Sequence, residues 1–196
     1  MWAGVDVGGR RKGFHVALLD GDDVVGPFQA RTPADVVAAL LPRRARVVAI
    51  DSPRVAAPDG ARSRPGERAL ASAVCGIRYT PERALLAGSA YYAWILHGFE
   101  LYAALDAAGL HAVECFPTAS FTRWAGRRGI RTRAAWSSEA LAARGLPVPT
   151  RQDGRDAVAA ALTARAYDEG AVDWFEELVV PVRSGDQNSS KLPSGS

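Results

Sequence analysis

"AGVDVGGRRKGFHVALLDGDD", residues 3–23, places an aspartate inside an apolar run and follows it with a sharp bend. Val5 and Val7 flank Asp6, a residue type poorly suited to strands. Residues 3–7, "AGVDV", still read as a buried strand, "GGRRK" as a turn and "GFHVALLD" (13–20) as a second strand. "GDD" (21–23) is a hairpin signal. "VVGPFQA" (24–30) follows as a third strand, bent near Gly26-Pro27. The chain opens as an antiparallel meander with a carboxylate in its first strand that strand formation does not explain.

The period then changes. Thr32 is an N-cap with Pro33 at the first helical position, and "PADVVAALLP" makes one short amphipathic helix ended by Pro42. "ARVVAIDSP" (45–53) is a fourth strand, continuous and β-branched as a strand covered on both faces should be. Residues 54–80, rich in Pro, Gly and Arg, are expected to loop over the surface. A long helical stretch covers 82–108, with candidate breaks at Gly88 and Gly98 and a C-cap at Gly109. "LHAVECFP" (110–117) is the fifth strand. Helices are expected near 118–127 and 137–144, and "TRQDGRDAVAAALTARAYDEG" (150–170) is the clearest helix of all. "VDWFEELVVPVR" fits a short helix or a strand. Residues 1–183 thus read as one domain, and 184–196, small and polar, as a disordered tail.

The order β-β-β-α-β-α-β, then helices, is that of the ribonuclease-H-like α/β fold: a five-stranded mixed sheet, three strands antiparallel and the later ones parallel through helical crossovers. In that topology the first, fourth and fifth strands are neighbours. Asp6, Asp51 and Glu114 then meet where open α/β sheets bind ligands. Asp153 and Asp156, three apart at the start of the last helix, share a face beside them. Carboxylates packed this closely repel one another unless a counter-charge is present. Mg²⁺ or Mn²⁺ is the expected remedy, since hard divalent cations take oxygen ligands. Two such ions about 4 Å apart can activate a water and stabilise the leaving oxygen of a phosphodiester. Gly8 and Gly9 would let a phosphate backbone approach, with Arg10, Arg11 and Lys12 beside it. Asp6 apart, each acid also has a local reading: Asp51 as a turn former before Ser-Pro, Glu114 as a strand-end charge, and Asp153 as N-cap with Asp156 at the third helical position.

Composition bounds the alternatives. A chain of 196 residues, 48% hydrophobic and 23% charged, can bury a core without disulfides or a structural metal. No apolar run reaches the length of a membrane span and no signal peptide is visible, so the expected location is the cytoplasm. Cys75 and Cys115 lack metal or disulfide spacing and read as buried thiols. The net charge of +3 favours polyanions weakly. "RWAGRRGIRTR" (123–133) joins five arginines to Trp124; it reads first as a solvated face and second as a nucleic-acid groove. Of His15, His97 and His111, only His15 stands where it merits a test. Tyr91, Tyr92, Trp94, Phe99 and Tyr102 have helical spacing and read as core.

Taken together, "GVDVGG", "AIDSP", "RPGERAL", "ECFPTASF" and "QDGRDAVAAALTA" resemble the prokaryotic family classed as domain of unknown function 429 (DUF429), described as predicted ribonuclease-H-like nucleases. The resemblance runs to about residue 180. It implies acidic site residues at Asp6, Asp51, Glu114 and Asp156, and an acidic–arginine element at Arg64, Glu67 and Arg68. Gly66 stands where that family's pattern has a bulkier residue.

The leading expectation is a Mg²⁺- or Mn²⁺-dependent nuclease, DNA or RNA undetermined. Asp6, Asp51, Asp153 and Asp156 would bind metal, and Glu114 would bind metal or orient water. Gly8, Gly9, Arg10, Lys12, Arg64, Glu67 and Arg68 would position substrate. The alternatives are a phosphotransferase of the actin-like and sugar-kinase superfamily, which would need a homodimer to supply its second domain, and a non-catalytic module binding nucleic acid or protein.

Overall fold

The computed structural model describes residues 1–183. The tail expected to be disordered, 184–196, lies outside the described residues. The meander forms as expected: β1 (Trp2–Val7) and β2 (Phe14–Asp20) pair antiparallel, and β3 (Asp23–Ala30) pairs antiparallel with β2. The β2–β3 register shifts between Val16 and Leu18, opposite the bend at Gly26-Pro27. Helix α1 (Pro33–Leu40) is capped by Thr32, whose Oγ1 accepts from the Asp35 amide at 3.2 Å. Strand β4 (Val48–Asp51) lies parallel to β1, and β5 (Ala112–Cys115) parallel to β4.

The sheet has seven strands, not five, in the order β3-β2-β1-β4-β5-β7-β6. The added pair is a hairpin of β6 (Val172–Phe175) and β7 (Leu178–Pro181), with β7 parallel to β5. The expected surface loop at 54–80 also contains a helix, α2 (Pro65–Ala73). Pro65 suits the first helical position, and Glu67 accepts from the Arg64 amide at 3.0 Å. The long helical stretch breaks once, near Gly88. Helix α3 (Arg83–Ala87) ends there, a 3-10 turn over Ala90–Tyr92 follows, and α4 (Ala93–Ala107) runs on through Gly98. Gly98 serves contact rather than bending: a Cβ there would sit 2.0 Å from Ser52 Oγ. Three further helices stand among the described residues: α5 (Pro117–Ala125), α6 (Arg133–Ala142) and α7 (Gln152–Asp168).

Strand parity divides the residues between two faces. Ala3, Val5 and Val7 of β1, Val48 and Ile50 of β4 and Ala112 of β5 pack with Val36, Leu40, Leu101 and Leu105 of α1 and α4. Gly4 of β1 and Ala49 of β4 face α7. A Cβ on Gly4 would lie 2.1 Å from both Ala157 O and Ala161 N, so α7 rests directly on the β1 backbone. Ala157, Ala159, Ala160, Ala161 and Ala164 are buried and give that helix the slim profile the contact needs.

Candidate metal centre

Asp6 and Asp51 share the parity of Gly4 and Ala49, and both stand on the α7 face. They are directly opposite in the parallel β1–β4 register, at the carboxyl ends of their strands. Because α7 lies so close to β1, its second turn brings Asp156 against them. One oxygen from each of Asp6, Asp51 and Asp156 falls in a group whose members all lie within 4.8 Å of one another. Asp6 Oδ2 is buried and has no hydrogen-bond partner among the described residues. An acceptor left bare beside two other carboxylates fits a divalent cation with oxygen ligands.

The electrostatics agree. Burial, then the charges of Asp6 and Asp156, push Asp51 well above the ordinary carboxylate range. Burial also raises Asp156 to about 6, although Arg133 works against it. Arg133 Nη2 donates to Asp156 Oδ2 at 2.9 Å, and Gln152 Nε2 donates to Oδ1 at 2.9 Å, so the side chain is held in place.

A second group shares Asp6: Asp6, His15 and Asp153 also bring ligand atoms within 4.8 Å. His15 is opposite Asp6 in the β1–β2 register, its Nδ1 is 3.6 Å from Asp6 Oδ2, and its Nε2 is 3.9 Å from Asp153 Oδ2. Lys12 Nζ donates to Asp153 Oδ1 at 2.6 Å. Asp153 is not the N-cap of α7; Arg151 holds that position, and Asp153 lies in the first turn.

Glu114 is not brought to these groups. It lies opposite Ile50 rather than Asp51, so it has the wrong parity and belongs to the α4 side of the sheet. Burial raises its pKa while Arg64 pulls it down. Arg64 Nη1 donates to Glu114 Oε2 at 2.8 Å, Arg64 Nη2 to Oε1, and the Arg54 amide to Oε2 at 2.8 Å. Glu67, fully buried, accepts from Arg64 Nε at 3.1 Å and from the Thr80 amide. Arg64 and Glu67 therefore tie chain segments together: both border the cavity beside the centre, but they are buried and their polar atoms are taken up by these contacts. Arg68 is exposed and turned back onto Ser63.

The glycine pair splits in role. The Gly8 amide donates to Gly13 O at 2.8 Å, and a Cβ on Gly8 would meet that oxygen and Lys12, so the turn itself fills its space. Gly9 has open space around it. Arg10 is exposed and pairs with Glu100. His97 is structural as expected: buried, Nδ1 2.9 Å from Gly8 O, its ring on Phe14. Both cysteines are free, and burial pushes their thiols up, Cys115 furthest, away from nucleophilic use.

Sequence reasoning missed Arg133, which was counted with a solvated arginine face. Its spacing from Asp156 carries no local signal; only the packing of α6 on α7 joins them. In the same segment Arg123 pairs with Asp173 and Arg131 with Glu139, while Arg127 and Arg128 are exposed. A cavity of about 550 Å³ opens beside the centre, lined by Asp6, Asp51, Arg133 and Glu114 among others.

The sheet order and the carboxylate-bearing edge define a ribonuclease-H-like α/β fold. The chain is similar to RuvC of Thermus thermophilus: 19% identity and a TM-score of 0.51 over 86% of this chain and 95% of that one. It is also similar to T. thermophilus RuvC in complex with a Holliday junction substrate, at 19% identity and a TM-score of 0.52 over 86% of this chain and 94% of that one. Such a likeness establishes a shared fold. No protein-family model matches the chain and no curated protein does, so the resemblance to DUF429 rests on the quoted motifs. No helix among the described residues is long and apolar enough to cross a membrane.

Proposed function

We propose that this protein is a divalent-cation-dependent phosphodiester hydrolase acting on nucleic acid, with Mg²⁺ or Mn²⁺ held by Asp6, Asp51 and Asp156. The observation that carries the reading is the buried Oδ2 of Asp6, without a hydrogen-bond partner among the described residues, within a group of three carboxylates at the sheet edge. When bound, such a cation supplies Lewis-acid stabilisation of phosphoryl oxygens and an acidified water. The chain's own residues do the rest. Asp6 and Asp51 are fixed by strand register, and Asp156 by Gln152 and Arg133. Lys12, with Arg10 and Arg11 on the same turn, supplies positive charge where a phosphate backbone would pass. His15 and Asp153 stand ready to hold a second ion next to Asp6. Arg64, Glu67 and Glu114 brace the site from behind. The RuvC fold, found in one solved case on a Holliday junction, supports nucleic acid as the substrate class.

Isothermal titration with Mn²⁺ tests the reading, with Asp6→Asn/Asp51→Asn as the comparison. Binding by the native chain, lost in the double variant and accompanied by EDTA-sensitive cleavage of a nucleic-acid panel, is the expected result. Mn²⁺ binding that survives the double variant, or cleavage indifferent to EDTA, would refute it.

A further inference from the structure

The cavity beside the metal centre contains chemistry that phosphodiester hydrolysis alone does not require. Its lining joins Asp6 and Asp51 to an apolar set, Trp94, Phe116, Ile77 and Pro53, with Arg78 and Arg133 as cations. Trp94 sits in the first turn of α4 and is only half-buried. Among the described residues, neither Trp94 nor Phe116 has a ring contact or a side-chain hydrogen bond. By contrast, Phe121 packs edge-on against both Trp124 and Trp136. An indole and a phenyl ring thus border the cavity with no aromatic partner of their own.

The part of the lining that carries Ile77, Arg78 and Pro53 is built to keep its shape. Ile77 and Arg78 belong to the segment leading to Thr80, whose amide donates to both oxygens of the fully buried Glu67, at 3.1 and 3.0 Å. Glu67 is bonded to Arg64, Arg64 to Glu114, and Glu114 to the Arg54 amide beside Pro53. One buried ionic network therefore fixes both segments, and the cavity is preformed.

Its volume, about 550 Å³, falls within the range of roughly 300–1,000 Å³ typical of small-molecule sites. A base stacked in a duplex cannot enter such a space; an unstacked one can, bringing its phosphate with it. We propose that this cavity is a nucleobase subsite. It takes one unstacked base of a nucleic-acid strand against the Trp94 indole, and so presents the adjoining phosphodiester to Asp6 and Asp51. The position of the cut rests on the hydrolase reading above; the stacking of the base on Trp94 does not. The substrate class becomes single-stranded or locally unpaired nucleic acid, and pairing rather than sequence decides what is cut.

The test uses short single strands of DNA and of RNA, each carrying one 2-aminopurine, with the matching duplexes as controls. Binding is followed by 2-aminopurine fluorescence in EDTA, where no cleavage occurs. The native chain is expected to bind at least one of the single strands more tightly than its duplex and to quench the probe. Trp94→Ala is expected to abolish the quenching and weaken binding by roughly tenfold to a hundredfold. Trp94→Phe should retain part of both, while melting curves and Mn²⁺ titration of both variants match the native chain. Equal quenching by Trp94→Ala, or tighter binding of duplex without quenching, would overturn the subsite. The two proposals fail separately. Mn²⁺ bound at the carboxylates with no strand stacked on Trp94 removes the subsite and leaves the metal centre. Stacking on Trp94 with no Mn²⁺ bound removes the hydrolase.

Discussion

Asp51 is a half-buried carboxylate with Asp6 and Asp156 as its neighbours, and desolvation together with their charges pushes its pKa well up. In the metal-free protein its charge opposes folding, so Asp51→Asn is expected to raise the melting temperature in EDTA while abolishing stabilisation by Mn²⁺. Differential scanning calorimetry with and without the ion checks both. Asp156 contributes to the pH dependence alongside Asp51 and Glu114, whose pKa values are also raised. Its folded pKa of about 6 lies above the ordinary 3.8, so between those values the folded chain holds the proton more tightly than the unfolded one. Stability contributed by this group is therefore present in acid and lost as pH rises through about 6, a difference of roughly 3 kcal/mol. Cation binding must displace that proton, so Mn²⁺ affinity is expected to fall as pH drops below 6. Titrations at pH 5, 6 and 7.5 measure it, and an affinity independent of pH would count against Asp156 as a ligand.

The packing of the α7 backbone directly on β1 depends on Gly4. A methyl group there would meet the α7 backbone at 2.1 Å, a contact only backbone movement can relieve. Gly4→Ala is expected to cost about 1–3 kcal/mol or more. It should also weaken Mn²⁺ binding in whatever fraction remains folded, because Asp156 travels with the helix. Denaturant melts and titration of the variant measure the two effects. Much of this arrangement was legible. Asp6 and Asp51 end apolar strands, and "QDGRDAVAAALTA" announces both a helix and its acids. What failed was parity. Glu114 ends a strand just as Asp51 does, but the one-residue offset that pairs it with Ile50 is set by register and has no local signature. The β6–β7 hairpin was hidden for a related reason: its turn is Glu176-Glu177, with Glu176 at φ 54° and none of the Asn-Gly or Asp-Gly chemistry that advertises such turns. Helix α2 went unread because its Pro and Gly, placed at its start, resemble a loop when counted by composition.

Across the molecule, a cation held by the carboxylates as proposed would couple its binding to global stability. A ligand that binds only the folded chain stabilises it by about 2.7 kcal/mol at a hundredfold excess over Kd. Mn²⁺ should therefore raise the native melting temperature by several degrees, and Asp6→Asn/Asp51→Asn should show no such rise. The three acids also come from opposite ends of the chain: Asp6 from the first strand, Asp156 from the last helix. During synthesis β1 emerges long before α7, and its Gly4 face waits uncovered until the helix arrives. A nascent or prematurely terminated chain can hold Asp6 and Asp51 but cannot complete the group. The group of three is thus assembled only once α7 has emerged and packed on β1, so a partly made chain lacks the arrangement that would hold a cation.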